Sequence, residues 1–286
     1  IHTSCMHRSI DERIDGRKEH RSSHPSIDHC SRASLLLLRL SGRCSCSVIL
    51  LSIYLSLSVC LFASASTMTL QSYLDEDLLE AAREGRLDEI RSLLDRHADI
   101  DTTDLSNYTP LHLASRNGHH QCVELLLDRR ANIHAVTYNN YTPLHVASLD
   151  GHHRCIELLL DRHANVDAVT YSTYTPLHVA SANRHHQCIE LLLDRHANVN
   201  AVDDNSNTPL HLASRNGHHQ CIEILLYRHA DVNAANANDN TPLHWASRYG
   251  HHQCIEILID HGASKSIIDV RHPPSISPNP MSLVCS

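Results

Sequence analysis

Apolar residues in this chain recur in two helical registers separated by a glycine. Leu111, Leu113 and Ala114 give a short segment one apolar side, Gly118 interrupts it, and Cys122, Val123, Leu125, Leu126 and Leu127 form a broader stripe. Cys122, Leu125 and Leu126 fall at helical spacing, and Val123 and Leu127 widen the face beyond what a single partner helix covers. The second helix is therefore expected to pack against neighbouring units as well. Thr109 can cap the first helix through its hydroxyl, and Pro110 fills the first helical position, where a missing N–H costs nothing. Residues from Ala131 to Tyr141 are rich in Asn, Thr and Tyr and predict an extended, hairpin-like connection. One unit is thus a helix pair followed by a projecting finger.

The unit repeats. Thr-Pro-Leu-His begins at Thr109, Thr142, Thr175, Thr208 and Thr241, each copy 33 residues after the last. A strict period of this length predicts a solenoid. The register from Thr109 to Arg129, with Thr-Pro-Leu-His, Gly-His and the long apolar second helix, resembles the ankyrin repeat, and the resemblance covers about residues 74–270. It implies an all-α repeat solenoid of stacked helix-turn-helix units with β-hairpin-like fingers.

The sequence divides into three regions. Residues 68–270 predict an array of six units, with full units starting near 109, 142, 175, 208 and 241. The unit at 75–101 is expected to cap the N-terminus, because Glu76, Asp77 and Glu80 stand where later units carry Thr109, Pro110 and Leu113. At the other end Lys265 replaces the apolar series Ile100, Ile133, Val166, Val199 and Val232. Residues 1–67 form an irregular leader with an apolar segment at 48–65. That length is borderline for a bilayer span. A signal anchor with Arg32, Arg39 and Arg43 on its cytoplasmic side, a signal peptide ending near Ala63-Ser64-Ala65, and a start at Met68 all stay open. Residues 271–286, with Pro273, Pro274, Pro278 and Pro280, are expected to be an extended, disordered tail.

Charge narrows the function. Residues 68–270 hold 27 Asp or Glu against 15 Lys or Arg, with no basic stripe. Phosphate binding needs clustered cations, so nucleic acid is not an expected partner. Cys122, Cys155, Cys188, Cys221 and Cys254 repeat at one register position rather than in pairs. Successive units lie roughly 8–10 Å apart, and a disulfide needs Cα atoms within about 7 Å. The cysteines read as small core hydrophobes in a reducing compartment. The expected location is cytoplasmic, or membrane-associated if residues 1–67 are retained.

Histidine is the compositional oddity, with 27 residues. His119 and Cys122, and their counterparts in each later unit, could offer paired metal ligands, but zinc takes ligands in fours at about 2 Å. The array reads as binding no metal and no cofactor. So many imidazoles also predict a pH response, with protonated histidine rows loosening the array by repulsion. Two departures from the resembled family predict strain. Its glycine after the second helix is here His97, Arg130, His163, His196 and His229, with only Gly262 kept, and Arg184 replaces the series Gly118, Gly151, Gly217 and Gly250.

Catalysis finds no support, because the same Ser and His recur in every unit and no phosphate loop, carboxylate dyad or nucleophile elbow is present. Function is expected where units differ. Tyr108, Tyr138, Tyr141, Tyr171 and Tyr174 mark the earlier fingers, and Asp203, Asp204, Asn207, Asn236, Asn238 and Asn240 the later ones. On the short helices Arg116, Leu149, Arg215, Arg248 and Tyr249 vary. In the resembled family such positions line a concave groove that grips a protein, and Tyr and Arg dominate interfaces when desolvated. The expected function is therefore a non-enzymatic interaction module for another protein, with a basic or mixed-charge segment suiting the second half. Alternatives are the soluble part of a membrane-anchored signalling or transport assembly through residues 48–65, or a passive scaffold.

Overall fold

The computed structural model describes residues 70–264 of the chain, and among them it contains twelve helices and no strand. They form six successive pairs: α1 (70–84) with α2 (Leu87–Asp95), α3 (Pro110–Arg116) with α4 (His120–Asp128), α5 (Pro143–Asp150) with α6 (His153–Asp161), α7 (Pro176–Ala182) with α8 (His186–Asp194), α9 (Pro209–Asn216) with α10 (His219–Tyr227), and α11 (Pro242–Tyr249) with α12 (His252–Asp260). The short first helices pack on one another along the array, as do the second helices. The result is an all-α solenoid. The apolar leader segment at 48–65, Lys265 and the tail at 271–286 lie outside the described residues, within which no helix is long and apolar enough to cross a membrane.

Each short helix begins as the sequence dictates. Thr109 is extended at φ −85° and ψ 166°, its Oγ1 accepts from the His112 amide, and Pro110 follows at the first helical position. His112 closes a reciprocal capping box, standing where Glu or Gln is usual. Its Nδ1 accepts from the Thr109 amide at 3.2 Å and from Thr109 Oγ1–H at 2.9 Å, while Nε2 donates to the Tyr141 carbonyl of the next unit at 3.0 Å. Only the neutral Nε2–H tautomer satisfies all three bonds. His145, His178 and His211 repeat the arrangement, donating to the carbonyls of Tyr174, Asn207 and Asn240. These four rings are fully buried.

A second set of imidazoles links units in the opposite direction. Nε2 of His119, His185, His218 and His251 donates to the carbonyls of Arg83, Leu149, Ala182 and Arg215 at the end of the preceding short helix, at 2.9–3.0 Å. The ring passes so close to that helix end that a Cβ on Gly151 would stand 2.4 Å from His185 Nδ1. Gly151 also has φ +80°, so it is required twice over. Between these links the core is a set of repeating rows, in which Leu111, Leu126, Cys122 and Val123 and their counterparts in α5 to α10 are at most 1 % exposed. Burial raises the Cys155, Cys188 and Cys221 thiols to about 12. All five array cysteines are free.

The second helices carry an ion-pair rail from one unit to the next: Arg129 to Asp95 at 3.0 Å, Arg162 to Asp128 and Arg195 to Asp161 at 2.7 Å, and Arg228 to Asp194. The pairs are substantially exposed and each contributes little, about 0–1 kcal/mol. The rail stops where Tyr227 takes the aspartate position and His261 the arginine position.

The strain expected from sequence is present. His97, Arg130, His163, His196 and His229 have φ between 64° and 67°, and Arg184 has φ 66°. Arg184 also places a Cβ where other units have none beside the following histidine. Nε2 of that residue, His218, still reaches the Ala182 carbonyl at 3.0 Å. Arg184→Gly is expected to raise stability by about 1 kcal/mol, and His196→Gly by a similar amount. An unchanged midpoint in urea or thermal unfolding for both variants would refute the strain account.

The pH response has a different main cause from the one expected. Burial, rather than repulsion along the rows, is the principal reason that His112 and His145 are lowered to about 4. His178 and His211 are lowered for the same first reason. The unfolded chain therefore takes up protons first. Stability is full above the ordinary value of 6.5 and falls as pH drops toward 4, where the folded rings also protonate. By this linkage His112 and His145 should each remove roughly 1 kcal/mol between about pH 7.5 and about pH 5.5. Urea melts at the two pH values test this, and His145→Gln should shrink the difference.

Candidate functional site

The fingers are tight turns rather than strand ladders. In the first, the Asp104 amide donates to the Tyr108 carbonyl, and Asp104 Oδ1 accepts from the amides of Ser106 and Tyr108. Thr137 and Thr170 organise the next two turns through Oγ1, and Asp203 and Asn236 the last two through Oδ1. Thr137, Thr170, Asp203 and Asn236 are buried. The acidic and amide character of Asp203 and Asn236 is therefore spent inside the finger. One residue in each turn is left-handed: Asn107, Asn140, Thr173, Ser206 and Asp239, with φ between 55° and 63°. Asn107, Asn140 and Asp239 are types that tolerate it, whereas β-branched Thr173 is strained.

The tyrosines separate into two classes. Tyr108, Tyr141 and Tyr174 close their turns and are half-buried, each edge-on to the capping histidine of its own unit at 5.6–5.7 Å between ring centres. Burial pushes their phenols up. Tyr138 and Tyr171 instead sit at the tips, 66 % and 73 % exposed. Their amides donate to Ser106 and Asn139 of the preceding tips, so the fingers lie side by side. Leu105 occupies the equivalent first tip at 93 % exposure, and Val136, Val169 and Val202 are exposed beside the row. Leu105 and these valines were not singled out from the sequence. Their burial could not be read there, because identical residue types fill the core.

Further along the array, Asp204 is exposed and accepts from Thr173 Oγ1 at 3.0 Å. The Asn207 side chain is occupied, donating to Asp203 and accepting from Asn236. Asn238 is exposed, while Asn240 lends its backbone to Asn236 and His211. On the short helices Leu149 is half-buried, and its carbonyl takes the His185 bond. Arg116 lies over Tyr108, Cζ 5.9 Å from the ring centre, and pairs with Asp150 at 3.8 Å. Arg215 and Arg248 both lie over Trp245, at 5.5 Å and 5.8 Å, and Tyr249 stacks on the same indole at 5.9 Å with an interplanar angle of 13°. Trp245 is the site residue that sequence reasoning passed over, since it stands in the apolar row of Leu113, Val146, Val179 and Leu212.

In the first four full units Ser115, Ser148, Ser181 and Ser214 and the capping histidines beside them are sealed from solvent. His119 and Cys122 do not converge on one ion, because the His119 Nε2 proton is held by the Arg83 carbonyl and Cys122 faces the core. Among the described residues no group of three or more His, Cys, Asp or Glu could hold a metal. A shallow, open surface depression of about 250 Å³ lies on the second helices between Glu190 and Arg228, away from the fingers.

The two tyrosine classes should respond differently to truncation. Tyr141→Ser is expected to lower stability by roughly 1–2 kcal/mol through the lost edge contact and burial. Tyr171→Ser should stay within about 0.5 kcal/mol of the parent. Equal losses in urea melts would show that the tip residue is also a packing element.

Comparison with known proteins agrees with this geometry. A family model described as ankyrin repeats matches residues 78–170, 130–203 and 177–269. No curated protein matches. Among solved structures, a crystal structure of the human ASB11 ankyrin repeat domain is similar, with 30 % identity and a TM-score of 0.61, over 65 % of this chain and 84 % of that one. With matched family segments running from residue 78 to residue 269 and the solenoid geometry in common, this chain belongs to the ankyrin repeat family.

Proposed function

We propose that the array is a non-enzymatic binding module that holds a segment of another protein along the face formed by its fingers and short helices. Ankyrin repeats are protein interaction modules, which sets the class. The row of exposed apolar side chains at adjoining finger tips, Leu105, Tyr138 and Tyr171 with Val136, Val169 and Val202, carries the reading for this chain. Exposed apolar residues are ordinary when scattered, but a series of them at adjoining, hydrogen-bonded tips supports a contact surface. Nothing in the repeat demands them there, since Asp204 and Ala237 serve at the same tip position.

The partner segment is of mixed charge. Its apolar side chains meet the tyrosine-bearing tips, where Tyr supplies broad contact area with few torsions to freeze. Its basic groups face the exposed carboxylates of Asp204 and Asp239 at the later tips. Tyr108, Tyr141, Tyr174, Arg116 and Leu149 contribute the edges that their packing leaves open. Asn207 and Asn240 shape the later fingers, and Asn238 and Tyr249 remain exposed to the partner.

Capture from source-cell lysate by the full chain, beside the double variant Tyr138→Ser with Tyr171→Ser, tests this. A protein retained by the parent and lost from the variant, with circular dichroism unchanged, is the expected result. Equal retention by both would remove the finger tips as the contact.

A further inference from the structure

Arg116 and Arg215 occupy the same place in two units, yet their surroundings differ in one respect. Arg116 is over an aromatic ring and is neutralised by Asp150, which lies 34 residues on, in the next unit. The residue at that offset from Arg215 is Tyr249. Arg215 and Arg248 each lie over the Trp245 ring, and neither has a carboxylate within ion-pair distance among the described residues. Asp203, whose carboxylate also faces Tyr174 near Arg215, is occupied by the amides of Asn205 and Asn207 and by the Tyr174 hydroxyl.

This is an unusual arrangement on an array with a large excess of acidic residues. A guanidinium lying over an indole is held in place by the ring quadrupole while its N–H donors stay in plane and point outward. Two such groups around one Trp each offer a fork to an acidic segment, and the neighbouring Tyr249, 44 % exposed, supplies amphipathic area beside them. Because the ring already orders both arginines, little side-chain entropy is left to lose on binding.

We propose that Arg215, Arg248 and Trp245 form a carboxylate-reading site that takes an acidic stretch of the partner protein. The inference rests on the groove reading above and assigns the chemistry of its C-terminal part. It makes the partner segment bipolar, with its acidic end on α9 and α11 and its other groups toward the fingers. The site is specific to the last two units, since Leu149 and Ala182 replace the arginine in the two between.

Trp245 is the only tryptophan of the chain, so its fluorescence reports this site alone when excitation avoids the nine tyrosines. The full chain is titrated with a capped Glu-Ser-Glu-Ser-Glu peptide and with its Gln and Lys counterparts. The expected result is a saturable change with the Glu peptide only, weakened by added salt. Binding should fall roughly tenfold or more in Arg215→Gln and in Arg248→Gln, and Arg215→Lys should recover only part of it because the planar fork is missing. Equal responses to the Glu and Gln peptides, or undiminished binding in both glutamine variants, would overturn the carboxylate assignment while leaving the groove reading standing. No response to the Glu peptide would overturn it as well, and the groove reading would then be decided by finger-tip capture alone.

Discussion

The array depends on a neutral imidazole whose single proton has a fixed place. In each of the first four full units the capping histidine accepts from its own threonine through Nδ1 and donates forward through Nε2 to a carbonyl of the following finger. A unit of this size cannot bury its own apolar faces, so its stability comes from its neighbours. The histidine converts that need into geometry, because one ring fixes both the start of a short helix and the position of the next finger. The Gly-His imidazole supplies the return link to the preceding short helix. These two connectors, one facing forward and one backward, account for eight of the 27 histidines.

The same repetition makes departures informative. A left-handed residue after each second helix is a property of the backbone path, and the chain meets it with His or Arg at five places where glycine would be unstrained. The unit beginning at Thr175 gathers three such sites, at Thr173 just before it and at Arg184 and His196 within it. In a solenoid, local weakness of this kind lowers the free energy of opening one unit without unfolding its distant neighbours.

Position in the repeat does not by itself assign a role. Tyr138 and Tyr141 are three residues apart, yet one stands in solvent and the other leans on His145. Arg116 and Arg215 share a register, yet only one meets an aspartate in the next unit. In both cases the scaffold sets where a side chain emerges, and the neighbouring unit decides whether its polar end is already satisfied. The groups left available for contact are those that the scaffold orders but does not neutralise.

The solenoid, its helix pairs, the caps at each Thr-Pro, the core cysteines and the left-handed sites were all legible in the sequence, because each follows from a local rule repeated five times. Periodic apolar spacing and the chemistry of Thr, Pro and Gly act over a few residues and need no knowledge of the rest of the chain. The candidate surface was legible only as a set of variable positions. Which tyrosines pack and which protrude, that Asp203 and Asn236 turn inward, and that Trp245 gathers two unneutralised arginines were decided by the tertiary structure. Those outcomes depend on contacts 29–36 residues apart along the chain, where one unit meets the next, and no spacing within a unit encodes them.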